Sequence, residues 1–367
     1  MKIKISREVL LPVLQAANNV VERRQTLPIL SNVLVDGSAG AVRFTSTDME
    51  VELCAEVTDV ETDSGTAALP ARKLLDICRA LPSGSVITID TDGNKAKLTS
   101  GRSKFSLAAM RGDEFPSVGN FSTQVEFSLD KQVLVDLVES TLFAMAHQDV
   151  RYYLNGLLFE IDGHKVRAVA TDGHRLALCE KEVKVELDGE SKQYIIPRKG
   201  VLELARLLSN GEGEVQLSIG ENHLRATLGS VTLISKLVDG RFPDYERVIP
   251  GESEFQVVAQ REDLRAGLGR ASILSNEKFR GVRLTFKKET LVAVAHNPEQ
   301  EEAEEEMEIQ YAGDGIEVGF NVSYLLDVLG VIRAEQVRID LVDAQSSALI
   351  RAVGDDSARY VVMPMRL

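Results

Sequence analysis

At 367 residues the chain is longer than one hydrophobic core usually organises, which sets an expectation of two or three domains. Hydrophobic residues make up 44% and charged residues 27%, which excludes the disordered and membrane-spanning classes. A formal charge of -14 argues against a uniformly nucleic-acid-binding surface, yet screening within about 10 Å leaves room for a local basic patch. In chain order, MKIKIS alternates as a short strand and leads into a helix. It lacks the apolar core of a secretory leader, and no later stretch is long and apolar enough to span a membrane, so a soluble cytoplasmic protein is expected. AVRFTSTDMEVELCAEV alternates as hairpin strands, and LPARKLLDICRALP is a strand end followed by an amphipathic helix. GRSKFSLAAM is a strand in which Arg102 and Lys104 interleave with Phe105 and Leu107. Asp130 caps a helix expected over residues 131 to 142, with Val133, Leu134, Leu137, Val138 and Leu142 on one face and His147-Gln148-Asp149 at its end. IPRKGVLELARLL and FNVSYLLDVLGVI are further helices, and VQLSIGENHLRATLGSVTLISKLV a further pair of hairpins. Cys54, Cys78 and Cys179 are odd in number and well separated, and read as small core residues in a reducing cytosol.

The chain repeats itself. Ser6 and Leu10 correspond to Asp130 and Leu134, Leu30 to Leu154, Leu34 to Leu158, and Thr47-Asp48 to Thr171-Asp172, all at one constant offset. A more diverged third copy places Gln260 and Leu264 on the first pair, Gly281 on Gly156 and Asn297 on Asp172. Each copy closes on a similar turn, at Pro116, Pro243 and Pro364, which sets domains at 1–122, 123–250 and 251–367. Two helices and a majority of strands per unit make an α+β fold, with helices covering one face of each sheet.

Thr171-Asp172-Gly173-His174-Arg175 is the most enzyme-like string, and one reading makes His174 with Asp172 a catalytic pair. The repeat argues otherwise, because Thr47-Asp48 recurs without the histidine, so the Thr-Asp pair is framework and Gly173 to Leu176 is what the second copy adds for binding. A catalytic His also needs an oriented partner and a cleft. Five histidines without zinc spacing give no metal site, and no phosphate loop, dinucleotide fingerprint or nucleophile elbow is present, so neither catalysis nor a cofactor is expected.

Glu299 to Glu308 contains seven glutamates in ten residues and aligns with the strands that follow the Thr-Asp turns. As a helix it would be a solvated face; as a strand it is tolerable only at an edge. With the basic strand around Arg102 and Lys104, it offers opposite charged edges for head-to-tail association, and Ile273 and Leu274 are candidate apolar counterparts. A unit of this size is roughly 35 Å across, so three closed in a ring leave almost no hole, while six leave one roughly 35 Å wide, enough for duplex DNA. Arg7, Arg23, Arg24, Arg72, Lys73, Arg79, Lys131, Arg198, Lys199 and Arg206 could line such a hole. Scattered surface charge accounts for them equally, and a scaffold that binds only protein is a further reading.

RRQTLPILSN, ATDGHRLAL, PRKGVLELARLL, DGRFPDYERVIP, ILSNEKFRGVRL, NPEQEEAEEE, FNVSYLLDVL and YVVMPMRL occur in this order. On these the whole chain resembles the bacterial sliding clamps, the beta subunits of DNA polymerase III. The resemblance implies three tandem clamp domains in a head-to-tail homodimeric ring, with helices inside and sheets outside. Such a ring is a processivity factor sliding on double-stranded DNA in the nucleoid, without base readout and without covalent chemistry. It implies DNA contact by Arg24, Gln148, Tyr152, Tyr153, Arg198 and Lys199, to which the hole-lining list adds Arg72. It also implies a pocket for short linear motifs, usually a Gln followed by Leu and an aromatic, carried by the replicative polymerase, clamp loader, translesion polymerases and repair proteins. The matching positions are Leu154, Thr171, Gly173, His174, Arg175, Leu176, Pro243, Arg247, Val248, Asn321, Tyr324, Ser347, Val361, Met363, Pro364, Met365 and Arg366. Flexible methionines beside Leu and Val suit an adaptable cleft. The implied dimer interface sets Phe105 and Leu107 against Ile273 and Leu274, with Lys73 and Arg102 facing Glu299 and Glu305.

Overall fold

Each repeat begins with a strand that runs straight into a helix, and in two of the three a polar side chain makes the junction. The Ser6 hydroxyl accepts from the Val9 N–H at 3.4 Å to start α1 (Arg7–Val20), and the Asp130 carboxylate accepts from the Gln132 N–H at 2.7 Å to start α3 (Lys131–Glu139). The third such helix, α5 (Arg261–Ser272), has no side-chain cap. The second helices are α2 (Ala71–Ala80), α4 (Arg198–Asn210) and α6 (Val322–Val331), the last capped by Asn321, whose side chain accepts from the Ser323 N–H at 2.9 Å. The structure, a computed structural model, describes residues 1–21, 27–38, 40–119, 121–183, 191–251, 253, 255–313 and 315–366.

One expected helix is shorter than its periodicity suggests. α3 stops at Glu139, and the Thr141 hydroxyl donates to the Leu137 carbonyl at 2.6 Å, taking up an acceptor of the last turn. Leu142–Ala144 is a 3₁₀ turn that half-buries Leu142, so His147-Gln148-Asp149 lies in the loop beyond it rather than at a helix end. Leu134, Leu137 and Val138 are buried as their spacing requires.

Two helices of one repeat are tied at their ends by the same device three times. Arg7 donates from Nε to the Cys78 carbonyl at 3.0 Å, Lys131 donates to the Gly211 carbonyl, and Arg261 donates to the carbonyls of Ala334 (3.0 Å) and Leu329 (3.2 Å). A cation thus meets the unsatisfied carbonyls at or just beyond the C-terminus of the second helix. Arg7 and Lys131 thus serve these carbonyls, and Arg206, itself exposed, pairs with the buried Glu203.

The chain divides into two compact units, residues 1–134 with 199–237 and residues 135–198 with 238–367. Every strand pair among the described residues is antiparallel. The first unit has a five-stranded sheet ending at Ser103–Ala108 and a nine-stranded sheet; the second has an eight-stranded sheet and a four-stranded sheet ending at Glu302–Glu308. The large sheets join repeats. Val51–Thr58 pairs with Val231–Lys236, and Arg175–Glu182 pairs with Asp355–Val362 in the corresponding way. Compact units consequently cut across the sequence repeats, because strand pairing between repeats is as continuous as pairing within them. Cys78 and Cys179 are buried and Cys54 half-buried, each as a free thiol.

Candidate functional site

The Thr-Asp turn builds the same scaffold in both copies. The Thr47 hydroxyl donates to the Val51 carbonyl (2.9 Å) and accepts from the Met49 N–H (3.0 Å); Thr171 repeats both bonds with Arg175 (2.6 Å) and Gly173 (3.1 Å). Asp48 accepts from the N–H groups of Glu50 and Val51, and Asp172 from those of His174 and Arg175. Asp172 also holds the Arg175 guanidinium at 3.2 Å. With its oxygens engaged in this way, Asp172 is framework, and His174 gains no carboxylate partner from it. His174 instead stacks on Tyr324, with ring centroids 6.4 Å apart. Among the described residues no group of three or more His, Cys, Asp or Glu is placed to hold a metal ion.

Beside this turn lies a cavity of about 160 Å³. Its walls include Leu154, Thr171, Gly173, Arg175, Leu176, Pro243, Val248, Val361 and Met363, all expected from the sequence, and also Arg151, Asp244 and Tyr245, which were not. Strand pairing of Leu176 with Val361 brings the second and third copies together at its floor, and the Met363 N–H donates to the His174 carbonyl at 2.9 Å. Arg175 is the keystone. Its guanidinium stands 5.0 Å from the Phe143 ring and 4.5 Å from the Tyr324 ring, bonds Asp327 at 2.5 Å and donates to the Phe143 carbonyl at 2.9 Å.

His174, Arg247, Asn321, Tyr324, Ser347, Pro364, Met365 and Arg366 are not in the cavity wall. Asn321 caps α6, Tyr324 packs on Arg175, Arg247 pairs with Asp244 at 2.7 Å, and the Met365 N–H donates to the Gly319 carbonyl at 2.8 Å. Ser347 and Pro364 are half-buried, and Arg366 is exposed. Arg151 escaped the sequence reading because only the fold brings it to Gly173. Its guanidinium bonds Asp149 at 2.9 Å, and the arginine, with a backbone N–H, lowers the Asp149 carboxyl to about 2.

Among the DNA-contact candidates, Arg24 lies outside the described residues. Gln148 and Tyr152 are exposed, Tyr153 is half-buried, and Arg72 is exposed beside Asp76 at 3.9 Å. Arg198 donates to the Met145 carbonyl at 3.2 Å, while Lys199 pairs with Asp48 and donates to the Val20 carbonyl at 3.1 Å. Of the interface candidates, Phe105 and Leu107 are half-buried against the core of their own unit, and Lys73 and Arg102 are exposed. Ile273 is 75% exposed just beyond α5, with Leu274 half-buried beside it. Glu299 lies in the turn before its strand, and Glu305 makes a bidentate pair with Arg270 at 2.8 and 2.7 Å.

A tandem α+β repeat with a small apolar groove, an Asp-His string explained as scaffold, and strongly charged edge strands defines a binding scaffold. The comparisons say which. Models of the N-terminal, central and C-terminal domains of the DNA polymerase III beta subunit match residues 1–119, 128–244 and 246–366. The beta sliding clamps of Pseudomonas putida and Escherichia coli are 51% and 47% identical, each over the full length of both chains. A crystal structure of the Pseudomonas aeruginosa sliding clamp bound to griselimycin superposes with a TM-score of 0.96 at 50% identity, and Caulobacter crescentus pol III beta with 0.92 at 34%, both covering all of each chain. The chain belongs to the DNA polymerase III beta subunit family: it is a sliding clamp, a processivity factor of three tandem clamp domains.

Proposed function

We propose that two copies of this chain close head to tail into a ring around duplex DNA, and that the cavity at Leu176 and Val361 takes the motifs by which partners are tethered. One observation carries the ring. The strand after each Thr-Asp turn pairs with the last hairpin of the next repeat, twice within the chain. The third such strand, Glu302–Glu308, and the first such hairpin strand, Ser103–Ala108, are both left at sheet edges. Repeating the internal rule between copies joins these two edges and yields six units with no remaining unpaired edge of this kind. An acidic strand meeting one with Lys104 and, in its turn, Arg102 is favourable at close range.

In this reading the domains are 1–122, 123–250 and 251–367. The exposed Arg72, Gln148 and Tyr152, with Arg24, Tyr153, Arg198 and Lys199, contact phosphates without reading sequence, as sliding requires. The clamp works in the cytoplasm on the nucleoid, performs no covalent chemistry, and needs no cofactor. Its motif-bearing partners are the replicative polymerase, the clamp loader, translesion polymerases and repair proteins. Loaded protein should persist on a nicked circular duplex and leave once that circle is linearised; equal loss from both would sink encirclement.

A further inference from the structure

Pro243, Tyr245 and Val248 form one wall of the cavity from a segment that has no strand of its own, so no sheet ladder fixes its position. Two side chains anchor it: Phe242 and Tyr245 are buried in the core with Leu154, Leu176 and Val361. The Tyr245 hydroxyl continues to the Glu160 carboxylate, 3.4 Å from each oxygen. Glu160 is one rung of a row crossing four adjacent strands, in which Gln193 faces Glu160, Glu160 faces Arg167 and Arg167 faces Glu180 as direct partners. Arg167 pairs with Glu160 at 2.6 Å and with Glu180, and the Gln193 amide donates to Glu160 at 2.5 Å. Glu160 is only 5% exposed. Arg167 and Glu180 are half-buried beside it, and holding these charges away from water costs desolvation that an apolar sheet face would avoid, so adhesion alone is a poor account of the row.

We propose that the row Gln193, Glu160, Arg167 and Glu180 is a positioning device for the peptide groove: it fixes Tyr245 through its hydroxyl and so sets which apolar anchor the cavity accepts. The inference rests on the cavity being the peptide site. Burial holds the Tyr245 phenol well above its ordinary pKa, so it remains a hydrogen-bond donor even in alkaline solution where an exposed tyrosine would ionise. The row acts through the tyrosine ring and needs no contact with the peptide.

The test uses the full chain and two acetylated peptides, one carrying Gln, Leu and Phe in that order and one with Ala in place of that Leu, titrated by calorimetry. Tyr245→Phe should weaken the Leu peptide roughly fivefold, the loss of about one net hydrogen bond, and reduce the preference for Leu over Ala by about threefold. Glu160→Gln should act in the same direction. A merely destabilised chain loses competent molecules and weakens both peptides by one factor, so an unchanged preference overturns the positioning role, as does unchanged affinity. Tyr245→Phe keeps the ring and decides the matter if Glu160→Gln does not fold. Binding of neither peptide to the unaltered chain would instead refute the peptide-site reading itself.

Discussion

Gly173 sits at φ 88°, and its counterpart Met49 sits at φ 78° in the same turn of the first repeat. Since a methionine occupies the left-handed region there, backbone conformation alone does not require glycine. The difference is Arg151, whose guanidinium would lie 2.9 Å from a Cβ at residue 173. Gly173→Ala should therefore cost about 1 kcal/mol in urea unfolding and weaken peptide binding by displacing Arg151; removing Arg151 as well should recover part of the loss. Additive losses in the double variant would contradict this coupling. The pH dependence of the same loop follows from Asp149. Its folded pKa, about 2, is below the unfolded value, so its contribution to stability is complete above that unfolded value and lost as pH falls toward 2. Carbon-detected titration should place Asp149 near 2 and move it up in Arg151→Ala; an unmoved midpoint would assign the shift elsewhere. The Gly173 to Leu176 string is legible because the repeat isolates it. Arg151 and Tyr245 are not, because their roles come from neighbours distant in sequence.

Helix periodicity and caps are readable wherever local chemistry sets them, as at Ser6 and Asp130. The end of α3 is not, because Leu142 continues the apolar spacing while the Thr141 hydroxyl takes the Leu137 carbonyl. The cations at the first-helix starts are hidden for a similar reason: Arg7 and Lys131 look like free surface charge until the fold brings the second helix's end alongside. Arg261 is the cleanest test of this element, with a side chain 18% exposed and two carbonyl acceptors. Arg261→Met should keep the packing of the stem and lose about 1–2 kcal/mol in urea unfolding. Arg72→Met, at a side chain 64% exposed, should change stability by no more than about 0.5 kcal/mol. Equal effects from the two would remove the capping account.

At the scale of the whole molecule, the repeat is what makes an assembly readable from one chain. A uniform charge of -14 would repel a second copy, but the charge is patterned so that the acidic strand is an edge and the strand carrying Lys104 is another. The internal pairings also set a register. Cys54 faces Thr232 and Leu53 faces Leu233. Carrying the repeat correspondence forward, through Thr47 with Glu52 and His296 with Glu302, places Glu304 opposite Lys104 and Ala303 opposite Phe105. Glu305 is already paired with Arg270 of α5. Lys104→Glu should then set like charges face to face and shift native mass toward the monomer at low micromolar concentration, and Glu304→Lys should do the same. A chain carrying both changes restores opposite charges at that rung and should recover the dimer mass, whereas a wrong register would leave the double variant as weak as the worse single one. Ile273→Ala with Leu274→Ala should also favour the monomer, by removing apolar anchors, but without rescue by either charge change. Only the register derived from the internal pairings makes Glu304 the rescuing position for Lys104, so rescue there and not at Glu308 distinguishes ring closure by the repeat rule from general electrostatic attraction between an acidic and a basic edge.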